Sequence, residues 1–315
     1  MTVWVRVMVA TLRLAGVVVP VVVSAARWMR RRDAILIRAM VSTRRRRRAV
    51  VVGLLLVTSP VWAAAAVASP RRVAAPRPSV PPELVAAIIT GRPVGYPVGG
   101  LDISSHDHRH FPIQWHVEVA AGSQFVYVKA TEGTTYVNPH FASDYAAGKA
   151  ARRYVGAYVY ARPDLADPAG QADHFLRHAQ FTRDTRTLVP FVDLEWPYPG
   201  VGTGPCYNLN PNQMRAWIHA FVDRIEAIIH RKPMIYTNAH WWNPCTGNDP
   251  SFGGYPLDVA NYTNMPPRLP AGWTTFALWQ YRPGNPEKSG DHDRDVVNDG
   301  MAGLSALAWP GNAAR

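Results

Sequence analysis

Short apolar runs alternate with segments of helical periodicity from residue 100 onward. Eight runs predict strands, at Leu101–Ser104, Phe125–Ala130, Val155–Tyr160, Val189–Glu195, Pro233–Thr237, Leu257–Tyr262, Thr275–Tyr281 and Asp293–Val297. Three segments predict helices, at Pro139–Arg152, Ala166–Phe181 and Asn210–His230, the last with a capping Asn and a first-turn Pro. Strand–helix alternation favours a mostly parallel sheet, and eight strands favour a closed α/β barrel with fewer than eight helices.

The amino-terminal 68 residues have the pattern of a targeting segment. Within residues 40–68, five arginines (Arg44–Arg48) precede an apolar stretch (Ala49–Val57) and a small-residue cleavage site (Ala66–Ala68), which together predict a signal peptide. An uncleaved membrane anchor is the alternative, because the apolar stretch approaches spanning length. The predicted localisation is secreted or cell-wall associated, with membrane contact only through this segment if it is not cleaved.

A second apolar run, Leu14–Ala26, precedes the predicted signal peptide. Either translation starts at Met40 and residues 1–39 are not made, or this run is a transmembrane helix. Residues 69–98 are rich in Pro, Ala and Arg and predict an extended linker. The folded domain is therefore expected over residues 99–310.

The net charge of +12 belongs to the amino-terminal segment. Residues 1–82 carry 15 of the 34 basic residues and one acid, Asp33, which leaves 19 bases against 21 acids in the rest. The folded part thus lacks the basic excess typical of nucleic-acid-binding proteins, and we expect no nucleic-acid partner. The two cysteines, Cys206 and Cys245, are expected to form a disulfide in an exported chain.

Acidic residues fall at the predicted strand ends, where barrel enzymes carry their active sites. Asp193 and Glu195 end the fourth strand and face the same side, with backbone positions roughly 6.6 Å apart. Like charges at this separation raise one pKa, as a general acid working near neutral pH requires. A catalytic pair is the favoured interpretation, and isolated helix caps or surface acids are the alternative.

Seven segments, in order, resemble the strands of family 25 glycoside hydrolases, the lysozymes or N-acetylmuramidases. They are GLDISSH at 100–106, FVYVKATEG at 125–133, VGAYVYARP at 155–163, DLEW at 193–196, PMIYT at 233–237, ALWQY at 277–281 and DRDVVNDG at 293–300. The resemblance implies a flattened barrel, hydrolysis of the β-1,4 bond after N-acetylmuramic acid, and Glu195 as proton donor. It also implies Asp193, Asp102 and Asp293 as the other acids of the site.

Two departures from the family pattern stand out. Asp258 replaces an aromatic or apolar residue, and Asp107 replaces an amide; both are expected to alter sugar binding at the rim. The loop His106–His110 is rich in histidine, which we interpret as solvated rather than metal-binding. No metal and no cofactor are expected, and a monomer is the expected state.

Several side chains near strand ends are candidates for substrate binding: Tyr158, Trp196, Tyr236, Trp279 and Gln280. Their aromatic rings either stack on sugar faces or pack the barrel. Lys129 and Glu132 are expected to form an ion pair that braces the site. The attacking group is left open between a carboxylate and the substrate's own acetamido oxygen, which Asp193 would orient.

Bacterial peptidoglycan is therefore the predicted partner. Two other functions are weighed against this one. A binding module with the same fold would bind peptidoglycan without hydrolysing it, although the presence of all the acidic residues of the site argues against that role. A hydrolase of another N-acetylated glycan, such as chitin, is the second alternative.

Overall fold

The computed structural model describes residues 9–14, 17–22, 91–179, 182–263 and 265–310. Strands β1 (Val9–Leu14) and β2 (Val17–Val22) pair antiparallel. The predicted signal peptide at 40–68 and the linker up to residue 90 lie outside the described residues. No helix in the described part of the chain combines the length and apolarity needed to cross a membrane.

Eight strands close into a barrel, which confirms the predicted fold class. They are β3 (Gly99–Ile103), β4 (Ser123–Glu132), β6 (Tyr154–Tyr160), β7 (Phe191–Leu194), β8 (Met234–Thr237), β9 (Leu257–Ala260), β10 (Leu278–Arg282) and β11 (Asp293–Val297). A two-residue strand, β5 (Tyr136–Val137), pairs with the end of β4. The barrel strands from β3 to β10 run parallel to their neighbours, and pairing of β3 with β4 contributes to closure.

The last strand runs against the others. β11 is antiparallel to both β10 and β3. Only the loop 283–292 joins β10 to β11, and an antiparallel pair needs no long crossover. The amino end of β11 therefore lies beside the carboxyl ends of the parallel strands.

Six α-helices accompany the barrel in the described residues: α1 (Trp115–Ala120), α2 (Phe141–Ala150), α3 (Pro168–His178), α4 (Pro211–Ile229), α5 (Ala239–Thr246) and α6 (Gly300–Leu307). Three of them, α2, α3 and α4, match the predicted helices. α4 begins as expected: the Asn210 side chain accepts from the backbone of Gln213, and the Gln213 side chain accepts from the backbone of Asn210. The other three are only six to eight residues long, and α5 contains Pro244, so periodicity did not reveal them.

Two apolar clusters lie on opposite faces of the strands. Outward-facing residues such as Val126 and Val159 pack against helix residues such as Phe221. Inward-facing residues, among them Phe125 and Met234, form the second cluster. This alternation follows the two-residue period of a strand.

The inner cluster closes the amino end of the barrel. Leu304 and Leu307 of α6 join it, and the backbone N–H of Val189 donates to Leu307 O. Further toward the carboxyl ends of the strands, Gly156 leaves room for the Tyr127 ring, because a Cβ at Gly156 would lie 2.1 Å from Tyr127 Cε1. The interior is thus apolar at one end, and its polar side chains are gathered at the other.

A disulfide joins Cys206, in the loop after β7, to Cys245 on α5, which confirms the predicted pairing. The two Cα atoms are 5.2 Å apart, and the residues are 39 positions apart in sequence. Next to it, Trp241 Nε1 donates to Pro205 O at 2.9 Å. The bond therefore ties the β7–α4 loop to the helix that follows β8.

We predict that replacing both Cys206 and Cys245 by Ser lowers the free energy of unfolding by up to roughly 4 kcal/mol, because a loop of this length is no longer closed in the unfolded chain. Urea denaturation of the variant and of the wild type measures the difference. The wild type under reducing conditions should match the variant. Equal midpoints for the oxidised and reduced wild type would contradict the prediction.

Candidate active site

Four predicted acids meet at the polar end of the barrel. Asp102 and Asp293 are direct partners across β3 and β11, so their side chains share a face, with Cα atoms about 5 Å apart. Asp193 is the last residue but one of β7, and Glu195 follows it by two residues on the same side. Burial is the main cause of the raised pKa values of Asp193 and Glu195. Asp102 adds to the rise at Asp193 and Asp293 to the rise at Glu195, as expected of two pairs that lie close together.

A cleft of about 800 Å³ opens beside these acids. Asp193 and Glu195 lie in its wall. Apart from Leu165 and Pro197, the other residues that line it are polar, charged or aromatic and include Ser104, Lys129, Tyr136, Tyr158, Tyr160 and Trp196. A cleft with aromatic walls and a few placed polar groups is suited to a saccharide.

Glu195 has the electrostatics of a general acid. Its removal from water raises its pKa to about 7, and Asp293 contributes to this rise, whereas the positive charge of Lys129 opposes it. A carboxyl group with this pKa keeps its proton for much of the time near neutral pH. It can therefore protonate a leaving group there.

The neighbouring acids also hold their protons more tightly than free carboxyl groups. Burial, followed by repulsion from Glu195, raises the pKa of Asp193, and Lys129 lowers it. Burial raises the pKa of Asp293 to about 6 and that of Asp102 well above its usual range. The cluster therefore carries fewer negative charges than its number of carboxyl groups.

Two further carboxyl groups lie deeper in the barrel. Asp258 and Asp295 are each 2% exposed, and burial raises the pKa of both. Asp258 Oδ1 is buried without a hydrogen-bond partner among the described residues. The prediction that Asp258 lies at the rim is wrong. Leu257 and Val259 of β9 face outward and pack against the helices, so Asp258, which lies between them, faces the barrel interior.

Of the five predicted substrate-binding residues, Tyr158 and Trp196 line the cleft. Tyr158 stacks on Phe191 at 4.6 Å between ring centroids and is nearly buried, whereas Trp196 is 40% exposed. Trp196 thus presents an aromatic surface that a ligand can cover, whereas most of Tyr158 is enclosed.

Tyr236 and Gln280 brace an acid of the site. Tyr236 Oη and Tyr262 Oη both donate to Gln280 Oε1, at 2.9 and 2.7 Å. Gln280 Nε2 then donates to Asp102 Oδ2 at 2.8 Å. Tyr236 and Gln280 are both buried, so this chain of hydrogen bonds fixes the position of the Asp102 carboxyl.

Trp279 does not contact the cleft, and its prediction as a substrate-binding residue is corrected. It is fully buried in the cluster between strands and helices, where Nε1 donates to Asn261 O at 2.7 Å. Its neighbour Gln280 faces the interior, and successive side chains of a strand face opposite sides.

The predicted ion pair between Lys129 and Glu132 is confirmed, at 2.8 Å. Glu132 also accepts from Tyr198 Oη at 2.8 Å and from Arg162 Nη1 at 3.3 Å. Tyr198 and Arg162 were not singled out from the sequence, although Arg162 lies at the end of the third family-like segment. The network holds Lys129 next to Asp193 and Glu195 with its own charge already paired.

The histidine-rich loop is anchored by carboxylates and is not simply solvated as expected. His108 Nε2 lies 2.7 Å from Asp144 Oδ2, and the ring of His108 stacks on that of His140. Asp107 Oδ2 accepts from the backbone of Ser104, and Asp107 Oδ1 lies 2.7 Å from His292 Nδ1. Asp107 therefore joins the end of β3 to the residue that precedes Asp293.

Residues 101–288 match the family described as glycosyl hydrolases family 25, and the chain belongs to this family of glycoside hydrolases. Lysozyme M1 of Streptomyces globisporus is 39% identical over 220 residues, covering 67% of this chain and 71% of that protein. An N,O-diacetylmuramidase of Chalaropsis is 41% identical over 190 residues, covering 58% and 87%. The solved structure of a family GH25 lysozyme from Aspergillus fumigatus superposes with a TM-score of 0.62 at 40% identity, covering 68% and 99%.

We predict that each buried carboxyl group like that of Asp258 makes the fold less stable as pH rises above about 4, because the unfolded chain ionises the group more readily than the folded barrel does. Asp258→Asn removes one such group. The free energy of unfolding of Asp258→Asn minus that of the wild type should therefore increase between pH 4 and pH 7, by at most about 1.4 kcal/mol per pH unit.

Denaturant titrations at several pH values measure this difference. Asp223→Asn, at an exposed acid on α4, is the control and should show no such trend. A constant difference between Asp258→Asn and the wild type across this range would show that Asp258 ionises normally in the folded protein.

We also predict that hydrolytic activity falls as pH rises through about 7, as expected of a proton donor with the pKa of Glu195. Lys129→Met removes the positive charge that lowers this pKa, so the alkaline limb of kcat/KM should move to higher pH. Lys232→Met, at an exposed lysine before β8, serves as the control. An unmoved or downward-shifted limb in Lys129→Met would argue against Glu195 as the titrating acid.

Proposed function

We propose that this glycoside hydrolase is an exported muramidase that cuts the β-1,4 bond between N-acetylmuramic acid and N-acetylglucosamine in bacterial peptidoglycan. The observation that carries the proposal is the position of Glu195. It lies in the wall of a saccharide-sized cleft with a pKa near 7, two residues from a second carboxyl group. The names of the relatives, lysozyme and N,O-diacetylmuramidase, support this choice of substrate.

Glu195 would protonate the glycosidic oxygen as the bond to the leaving sugar breaks. The oxocarbenium-like centre that develops needs negative charge nearby. Asp193 supplies this charge once it ionises. Burial raises the pKa of Asp193, and the positive charge of Lys129 opposes this rise and so favours the ionised form. Glu195 thus holds the proton that is donated, and Asp193 provides the negative charge.

The attack on the anomeric carbon has two open routes. In one, Asp193 orients and polarises the substrate's 2-acetamido group, whose oxygen attacks. In the other, a carboxylate attacks directly and forms a covalent intermediate. Asp102 and Asp293, at the adjacent strand ends, would keep the sugar in place and tune the charge of the pair.

Export is supported by two features. The sequence of residues 40–68 has the order of a signal peptide, and the structure contains a disulfide, which persists in oxidising compartments. Peptidoglycan lies in such a compartment, outside the plasma membrane. We expect the enzyme to act there as a monomer.

We predict that the purified protein releases fragments with new muramic acid reducing ends from bacterial walls. Turbidity clearing combined with reduction and sugar analysis of the products is the measurement. New glucosamine ends would instead indicate a different bond specificity, and hydrolysis of chitin alone would indicate a different substrate. Binding to walls without new reducing ends would indicate a binding module.

We predict that Glu195→Gln lowers kcat by at least about 10³-fold and leaves the fold unchanged, because the amide keeps the shape but cannot donate a proton. Glu226→Gln, on the outer helix α4, is the matched control and should retain activity. Circular dichroism checks the fold of both variants. Near-normal clearing by Glu195→Gln would overturn the assignment of the donor.

A further inference from the structure

A second cavity, of about 440 Å³, opens at the carboxyl ends of β8 and β9. This is the same end of the barrel as the proposed catalytic acids. Its wall carries amides, a hydroxyl and two basic side chains: Asn238, Asn243, Asn261, Thr263, His240 and Arg268. No acidic residue is among the described residues that line it.

The second cavity lies close to the proposed donor. Leu194 pairs with Thr237 at the ends of β7 and β8, so Glu195 and Asn238 are the first residues after two adjacent strands. Adjacent strands are about 4.8 Å apart. The cavity therefore begins about one strand spacing from the strand that carries Glu195, within reach of a substituent on a sugar bound there.

Arg268 gives this cavity an unpaired positive charge. It is exposed and forms no ion pair or hydrogen bond with any described residue. In the first cleft, by contrast, Lys129 is paired with Glu132, and Arg162 is paired with Asp164 at 2.7 Å. A free guanidinium at the edge of a polar cavity is suited to a carboxylate, which it binds through two parallel hydrogen bonds.

The segment that presents Arg268 is held in place before any ligand arrives. Asn261 Nδ2 donates to Thr263 Oγ1 and to Met265 O, at 2.9 and 3.0 Å. Pro266 and Pro267 follow, and each fixes its own backbone φ angle. Little conformational freedom of this backbone is then lost on binding, which favours affinity.

We propose that this second cavity binds a carboxylate of the peptide stem of peptidoglycan, with Arg268 as its anchor; the inference rests on the proposed function. The amino sugars of the glycan are uncharged, and the negative charges lie on the stem that muramic acid carries through its lactyl group. This group is attached to the sugar whose bond is cut, so the stem leaves the active cleft next to the scissile bond. The second cavity offers it an acid-free, positively charged place on the same face.

The test compares two substrates prepared from walls freed of accessory polymers. One is glycan with intact peptide stems, and the other is the same glycan after an amidase has removed the stems, leaving only the lactyl carboxylate. For Arg268→Ala we expect KM on the stem-bearing glycan to rise about tenfold, with kcat changed little, because a charge-assisted contact remote from the reacting atoms is lost. KM on the stripped glycan should be unchanged.

Arg177→Ala, at an exposed arginine on α3, is the matched control and should behave as the wild type on both substrates. Arg268→Lys should lie between Arg268→Ala and the wild type. Equal losses of Arg268→Ala on both substrates, or no loss on either, would overturn the inference. Failure of the wild type to cleave either substrate would instead overturn the proposed function, and the inference with it.

Discussion

The structure depends on how the barrel accommodates carboxyl groups out of water. Asp102, Asp193, Asp258 and Asp295 are each less than one-tenth exposed, and all face the same interior. Burial disfavours the ionised form of a carboxyl group, so the barrel raises the pKa of all four. Burial is the largest cause of every raised pKa among them. The acid–base properties of the site thus follow from enclosure first and from individual neighbours second.

Topology determines which acids meet. The parallel strands bring Asp102 and Asp193 to one end of the barrel, but a parallel last strand would have carried Asp293, its first residue, to the opposite end. Because β11 runs antiparallel, Asp293 faces Asp102 directly. The short loop between β10 and β11 is therefore a functional feature of the fold, since it delivers the acid that adds to the rise that burial causes in the pKa of Glu195.

Much of this arrangement could be predicted from the sequence. The apolar runs located all eight barrel strands, and the two-residue period placed Asp193 and Glu195 on one side. The same two-residue period explains why Trp279 and Asp258 were predicted wrongly. Alternation applied consistently from the neighbouring residues of each strand places Trp279 on the outer face and Asp258 on the inner face. The direction of β11 and the residues that surround Lys129 depend on contacts distant in sequence, which no local pattern contains.

A site of this kind has a cost that must be offset elsewhere. Carboxyl groups with raised pKa values favour the unfolded chain near neutral pH, where that chain can ionise them freely. The disulfide between Cys206 and Cys245 offsets this cost. It restricts the conformations of the unfolded chain and adds no contacts at the acids. Stability gained in this way comes from the unfolded state and requires no change in the buried carboxyl groups. Because the disulfide stabilises the fold by a separate route, the barrel can keep its buried carboxyl groups, including the proposed proton donor, and still remain folded.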